Sequence, residues 1–346
     1  MQKVVIVDDD RVNLLLAKKY LEKYYEVLTF TSPRDAFGYL QLSSPDLILL
    51  DLQMPDMNGF DFVQKIKGIR DLSQIPVIFL TGDRSERTEE NCFKIGAADY
   101  IAKPFIPEIM IQRVRRCLEL ESYRKKLEQM AELQLYRINQ IQTDIIFAMA
   151  NLIESRDGTT GEHVKRTADY VAWLVKKLIK KGFYAGELDE EKRKIMYRAA
   201  PLHDIGKITI PDRILQKEGK LTVEEYEVMK THSRAGAEII KRSMTAVEEQ
   251  DFVKIAYEMA CYHHEKWDGT GYPCGLKQKE IPLSARILAV VDVFDALVSK
   301  RMYKETMSLE EAYNIMLPDR GKAYEPLIFD VLFENKDELE QFRLSL

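Results

Sequence analysis

Several things are missing from this chain, and each absence excludes a class of protein. No apolar run approaches the length of a membrane-spanning helix; the run "LILL" at 47–50 is broken at once by Asp51. The first residues, "MQKVVIVDDD", contain no long apolar stretch and no small-residue cleavage site, so they do not read as a signal peptide. The four cysteines, Cys92, Cys117, Cys261 and Cys274, show no C-x-x-C spacing and read as reduced thiols of a cytoplasmic protein. No block of lysine and arginine occurs and the net charge is -5, which argues against a nucleic-acid polymer as partner. Histidine is scarce, five residues in all, and the first 162 residues contain none.

What is present divides into parts. A length of 346 residues suggests two or three domains. Up to about residue 106, short apolar runs at 3–7, 25–30, 46–51, 76–80 and 99–103 alternate with helical patterns near 11–23, 33–41, 59–68 and 86–96. This alternation predicts a doubly wound five-stranded parallel sheet covered by helices on both faces. From Pro107 to Ile153 there is no glycine and no further proline. Leu120, Tyr123, Leu127 and Met130 follow a heptad seam, and Ile138, Ile141 and Ile145 resume it after an offset near Leu133–Leu135. A long signalling helix that forms a homodimer through 107–150 is expected. Beyond residue 150 the strand pattern disappears. Helical segments are expected at 162–181, 188–200, 222–230, 234–243, 248–264, 283–299, 308–316 and 325–341. The fold class is therefore multidomain, α/β followed by all-α, with boundaries at 1–120, 121–148 and 149–346.

In the first part, Asp8 and Asp9 end the first strand and Asp51 the third, where doubly wound sheets bind ligands. Carboxylates brought together there need a cation, and hard oxygen donors suit Mg²⁺. Thr81 and Lys103 end the next two strands and would offer a hydroxyl and an ammonium to an added phosphoryl group. The set "IVDDD", "LLDLQMPDMNG", "FLTGD" and "YIAKPF" closely resembles the response-regulator receiver domain. The resemblance implies that Asp51 accepts a phosphoryl group from a cognate histidine kinase. It further implies that Asp8, Asp9 and Asp51 hold Mg²⁺, that Thr81 and Lys103 contact the phosphoryl group, and that Tyr100 is the switch aromatic.

In the last part, five histidines and nearby aspartates form a transition-metal donor set. Five His with Asp204 and Asp292 exceed the four ligands of a tetrahedral zinc and fit two ions of higher coordination. Two ions about 3.5–4 Å apart suit a phosphoryl displacement. "HDIGK", "HHEKWDGTGYP" and "RILAVVDVFDALVSKRMYK" look like the HD-GYP phosphodiesterases of the HD superfamily. The resemblance implies hydrolysis of cyclic di-GMP at two Fe or Mn ions, held by His163, His203, Asp204, His232, His263, His264 and Asp292. Asp204 is the natural bridging carboxylate, and Asp204 and Lys207 are the residues implied in catalysis. Substrate contacts are expected from Lys207, Arg301, Lys304 and Tyr272. Arg166 and Arg286 read as supporting ion pairs, and Asp295 as a partner of a ligand. Adjacent residues on a helix diverge by about 100°, so His263 and His264 are expected to meet the site from different angles, one of them serving the second ion.

There are departures from the family pattern. Members that hold three metals use a Glu four residues before the first histidine; that position here is Thr159, so two metals are expected, a state that favours the linear dinucleotide pGpG over GMP. Gln278 stands where glycine is frequent, and Met302 where proline is. Cys261 and Cys274 read as incidental or packing residues. Two other readings compete: a catalytically weak receptor or adaptor that docks diguanylate cyclases, and a hydrolase of another cyclic dinucleotide or of a nucleotide phosphate.

Overall fold

The computed structural model describes residues 1–346 apart from 70, 84, 158–161, 246, 248 and 300–305. The chain divides into two compact units, Met1–Tyr136 and Arg137–Leu346. No helix among the described residues is long and apolar enough to cross a membrane.

The first unit alternates strand and helix: β1 Lys3–Val7, α1 Arg11–Leu21, β2 Glu26–Phe30, α2 Pro33–Leu40, β3 Leu47–Asp51, α3 Gly59–Lys67, β4 Val77–Thr81, α4 Glu86–Lys94 and β5 Asp99–Ala102. All pairings are parallel, in the order β2-β1-β3-β4-β5. β3 and β4 are buried at every position. Covered on both faces, they read as unbroken apolar runs. Asp10, Ser32, Asn58 and Ser85 cap the helices that follow, each accepting a first-turn amide and contributing about 1 kcal/mol.

α5, Pro107–Glu154, is one continuous helix of 48 residues, as the absence of interior glycine and proline predicts. Its seam is exposed within the chain: Leu127 at 66% and Ile141 at 57%, with Leu120, Tyr123, Met130, Ile138 and Ile145 also open.

The second unit is helical: α6 Glu162–Lys180, α7 Glu190–Ala199, α8 Asp212–Leu215, α9 Val223–Ser243, α10 Gln250–Tyr262, α11 Leu283–Val298, α12 Leu309–Met316, α13 Pro326–Phe333 and α14 Lys336–Ser345. Its core centres on Tyr170 of α6, edge-on to Phe294 of α11 at 5.1 Å and to Phe342 of α14 at 5.8 Å. Two segment boundaries differ from expectation. The segments 222–230 and 234–243 form the single helix α9. The hydroxyls of Thr231 and Ser233 bond back to the carbonyls of Val228 and Lys230, so these polar residues do not break it. The expected helix 325–341 is split, because Asn335 accepts the amide of Glu338 and starts a new helix.

Candidate metal centre and phosphoacceptor pocket

At the carboxyl edge of the sheet, Asp8, Asp9 and Asp51 bring carboxylate oxygens within metal-ligating range of one another. Lys103, carried past the end of β5, lies 2.7 Å from Asp8 and 2.9 Å from Asp51. Burial raises the Asp51 carboxyl, with the Lys103 hydrogen bond pulling against it and the charge of Asp8 adding to the rise. Burial opposes the Lys103 ammonium, but Asp8 and Asp51 raise it above its ordinary value. The Thr81 hydroxyl is buried and exchanges hydrogen bonds with the backbone of Asp83 at 3.1 Å. Tyr100 packs edge-on to Phe93 at 6.1 Å, with Arg113 over its ring.

In the helical unit, seven donors from five segments gather in two groups. His163, His203 and Asp292 form one; Asp204, His232, His263 and His264 form the other. His163 opens α6, His232 lies on α9 and Asp292 on α11, while His203 and Asp204 sit between two 3-10 turns, Ala200–Leu202 and Ile205–Thr209. This HD turn lies so close to α9 that only glycine fits at 206. A Cβ there would stand 1.9 Å from the His232 carbonyl oxygen and 2.5 Å from the Gly236 amide nitrogen. The glycine of "HDIGK" thereby brings Asp204 beside His232.

Four imidazoles are held from behind. His203 Nδ1 donates to the Ala200 carbonyl at 2.8 Å, His232 Nδ1 to Met229 at 2.7 Å and His263 Nδ1 to Met259 at 2.9 Å. His163 Nδ1 donates to the Asp295 carboxylate at 2.6 Å. A carbonyl can only accept, so in these rings the Nδ1 proton is fixed and Nε2 faces the site, the arrangement that metal-ligating histidines adopt. His203 Nε2 and Asp204 Oδ1 are buried without a hydrogen-bond partner. Orphaned buried polar atoms of this kind fit a cation between them. The two carboxylate oxygens of Asp204 diverge. Oδ2 lies 3.3 Å from His203 Nε2, whereas Oδ1 lies 3.3 Å from His232 Nε2 and 3.7 Å from His263 Nε2, so this one side chain faces both groups.

The charges follow from this packing. Against burial, Asp292 and Asp295 raise His163 to about 10, and Asp204 raises His203 to about 9. Burial likewise opposes ionised Asp204 and Asp292, yet Lys207 and His203 hold Asp204 well below the carboxylate range, and His163 and His203 hold Asp292 low. Burial, with the charges of His263 and His232, pushes His264 well down. Asp295 is fully buried, held by His163, by Arg166 Nε at 2.9 Å and by Ser299 Oγ at 2.8 Å. Arg286 pairs with Glu325.

Some placements differ from expectation or escaped it. His263 and His264 belong to the same group, with ring centroids 4.0 Å apart. His263 caps α10 in helical backbone, and the two rings, tilted 43° to each other, still reach the same group. Lys207 meets Asp204, Asp157 and Glu154, so its ammonium faces carboxylates on every side. Tyr272, half-buried, lies against the His264 ring at 4.7 Å on the lip of the four-donor group. Arg301, Met302, Lys304 and Thr159 lie outside the described residues. Glu265 was missed. It is 3% exposed and its carboxylate accepts the amides of Cys274 and Leu276, which closes the loop that carries Tyr272. Its place directly after the histidine pair was the available signal. Gln278 adopts φ 51, a left-handed conformation that accounts for glycine being frequent there.

A five-stranded receiver sheet with an acidic edge, followed by a helical body whose HD turn carries a histidine-rich donor set, defines a phosphorylation-responsive regulator with a metal-dependent hydrolase output. A family model described as response regulator receiver domain matches residues 4–115, and one described as HD domain matches residues 148–328. The chain is 39% identical to a probable cyclic di-GMP phosphodiesterase of Vibrio cholerae over 94% of this chain and 76% of that protein. It is 35% identical to the cyclic di-GMP phosphodiesterase response regulator RpfG of Xanthomonas campestris, over 98% of this chain and 89% of that one. A cyclic di-GMP phosphodiesterase of Thermotoga maritima is 35% identical, with 97% and 91% covered. The chain belongs to the family of cyclic di-GMP phosphodiesterase response regulators, in which a receiver precedes an HD domain.

Proposed function

We propose that this chain hydrolyses cyclic di-GMP to pGpG at two transition-metal ions, iron or manganese, under control of phosphorylation at Asp51. The observation that carries this reading is the convergence of seven donors in two groups, four of the five imidazoles fixed from behind and one carboxylate facing both. When bound, the two ions supply Lewis acidity toward the phosphodiester and lower the pKa of a water. The side chains do the rest. His163, His203 and Asp292 would hold one ion and His232, His263 and His264 the other, with Asp204 facing both groups. Asp295 keeps the His163 ring oriented. Tyr272 offers its face to a guanine base, and Arg301 and Lys304 offer cations to phosphate or a guanine edge. In the receiver, Asp8, Asp9 and Asp51 would hold Mg²⁺. Thr81 and Lys103 receive the phosphoryl group that a histidine kinase delivers, and Tyr100 reports its arrival. The exposed seam of α5 supports a homodimer that carries the signal. The setting is cytoplasmic.

Side-by-side turnover of cyclic di-GMP, a second cyclic dinucleotide and a nucleoside phosphate by metal-loaded protein tests the substrate. Cyclic di-GMP is expected to be preferred, and preference for either of the others overturns that assignment. Tight binding of cyclic di-GMP without turnover would favour the adaptor reading, in which the Tyr272 loop docks diguanylate cyclases.

A further inference from the structure

The Lys207 ammonium is surrounded by three carboxylates from three places in the fold. Asp157 Oδ2 lies 2.7 Å from Nζ, Asp204 Oδ2 2.8 Å and Glu154 Oε1 3.4 Å. An ammonium has three protons and no acceptor, so three carboxylates use all of them. Asp204 is the residue that faces both donor groups. Glu154 is the last residue of α5, and Asp157 ends the 3-10 turn Ser155–Asp157 that follows it. Glu154 is 2% exposed, a burial that carboxylates rarely tolerate unless paired. Between them, Arg156 donates to the carbonyls of Ile208 at 3.2 Å and Ile210 at 3.4 Å and pairs with Asp212 at 2.6 Å. The segment that leaves α5 is thus fastened to the HD turn at several points.

We infer that Glu154 and Asp157 are positioning residues: they fix the Lys207 ammonium, which in turn neutralises and orients Asp204, and so tie the end of α5 to the carboxylate between the two donor groups. Lys207 then serves the site through Asp204 and not through a substrate phosphate. The motif behind it, "IESRD", lies just upstream of the first histidine. The inference rests on the metal-site reading above, and its test reads the metal rather than the chemistry.

The dissociation constant for manganese is measured by competition with a chromogenic chelator in full-length wild type, Glu154→Gln, Asp157→Asn, Lys207→Met and each carboxamide variant combined with Lys207→Met. Glu154→Gln and Asp157→Asn are each expected to weaken manganese binding by about 10–100-fold, the range for losing a group that orients a ligand. Combined with Lys207→Met, neither is expected to add a further loss, because both act through the lysine. Thermal melts of the metal-free proteins check folding. If Glu154→Gln does not fold, the more exposed Asp157→Asn decides. Wild-type manganese affinity in the variants, or losses that add in full to that of Lys207→Met, overturns the inference. Failure of the phosphodiesterase reading looks different: manganese bound tightly by wild type and cyclic di-GMP left intact.

Discussion

Both units set a lysine against buried carboxylates, and what surrounds that pairing separates them. In the sheet unit, Lys103 lies 2.7 Å from Asp8 and 2.9 Å from Asp51, and the other donors are oxygen. In the helical unit, Lys207 lies 2.8 Å from Asp204, and the donors around Asp204 are imidazole nitrogens. Burial leaves Asp51 raised, whereas cationic neighbours hold Asp204 well down. An all-oxygen pocket suits a hard ion and leaves a carboxylate to accept a group; a mixed pocket of imidazole and carboxylate suits transition ions. Compensating charge is common to both, and the donor atoms decide what each can do.

The strongest way to break the comparison is to damage one side alone. Asp292→Ala removes the only carboxylate of the three-donor group and is expected to lower turnover by at least about a hundredfold, more than the loss of an outer partner of a ligand. Phosphorylation of Asp51, followed by phosphate-affinity gel shift with acetyl phosphate, should stay intact. Wild-type turnover in that variant would remove Asp292 from the site. The next test bears on the proposed dimer seam of α5. Leu127→Glu with Ile141→Glu places charge on the exposed seam and should shift the protein to monomer in sedimentation velocity, while the melting of each unit is kept. A dimer that survives both changes rules out the seam as its interface.

The titrations sharpen the contrast further. In metal-free protein, His163 at about 10 and His203 at about 9 hold protons that the unfolded chain loses near pH 6.5. Their contribution to stability is complete below that pH and is lost as pH rises through their folded values. Chelated protein should therefore melt at progressively lower temperature between about pH 7 and about pH 10, while metal-loaded protein, whose Nε2 atoms carry no proton, should not share that decline. Parallel slopes would contradict the assignment of these two rings. The smallest effect concerns Gln278. Gln278→Gly relieves a left-handed residue and should raise stability by up to about 1 kcal/mol in urea unfolding. A loss of stability would show that the Gln278 side chain matters more than its backbone.

The receiver was legible because its three inner strands β1, β3 and β4 are buried almost throughout, so apolar runs ending in Asp8, Asp51 and Thr81 mark them directly. The seven donors were legible because histidine and aspartate at these motifs have a distinctive chemistry. Features that depend on approach in space were not. Nothing local distinguishes Thr231 and Ser233 as residues that continue a helix, since their hydroxyls bond to carbonyls of the preceding turn. That His263 and His264 share one group depends on where Asp204 and His232 are brought beside them, and that Glu154 reaches Lys207 follows from the fold bringing residues 53 positions apart together. Gly206 could be noticed in sequence, but the reason for it is the close passage of α9.

The central claim is that the histidine and aspartate donors form a two-metal centre that hydrolyses cyclic di-GMP. It is tested most directly on anaerobically prepared protein, with metal counted per chain and turnover followed by chromatography, beside a variant carrying His203→Ala and Asp204→Ala. The account predicts two metal equivalents and pGpG production in the wild type, with both lost in the variant. Unchanged turnover in the variant, or metal-replete wild type that binds cyclic di-GMP without cleaving it, would contradict the account.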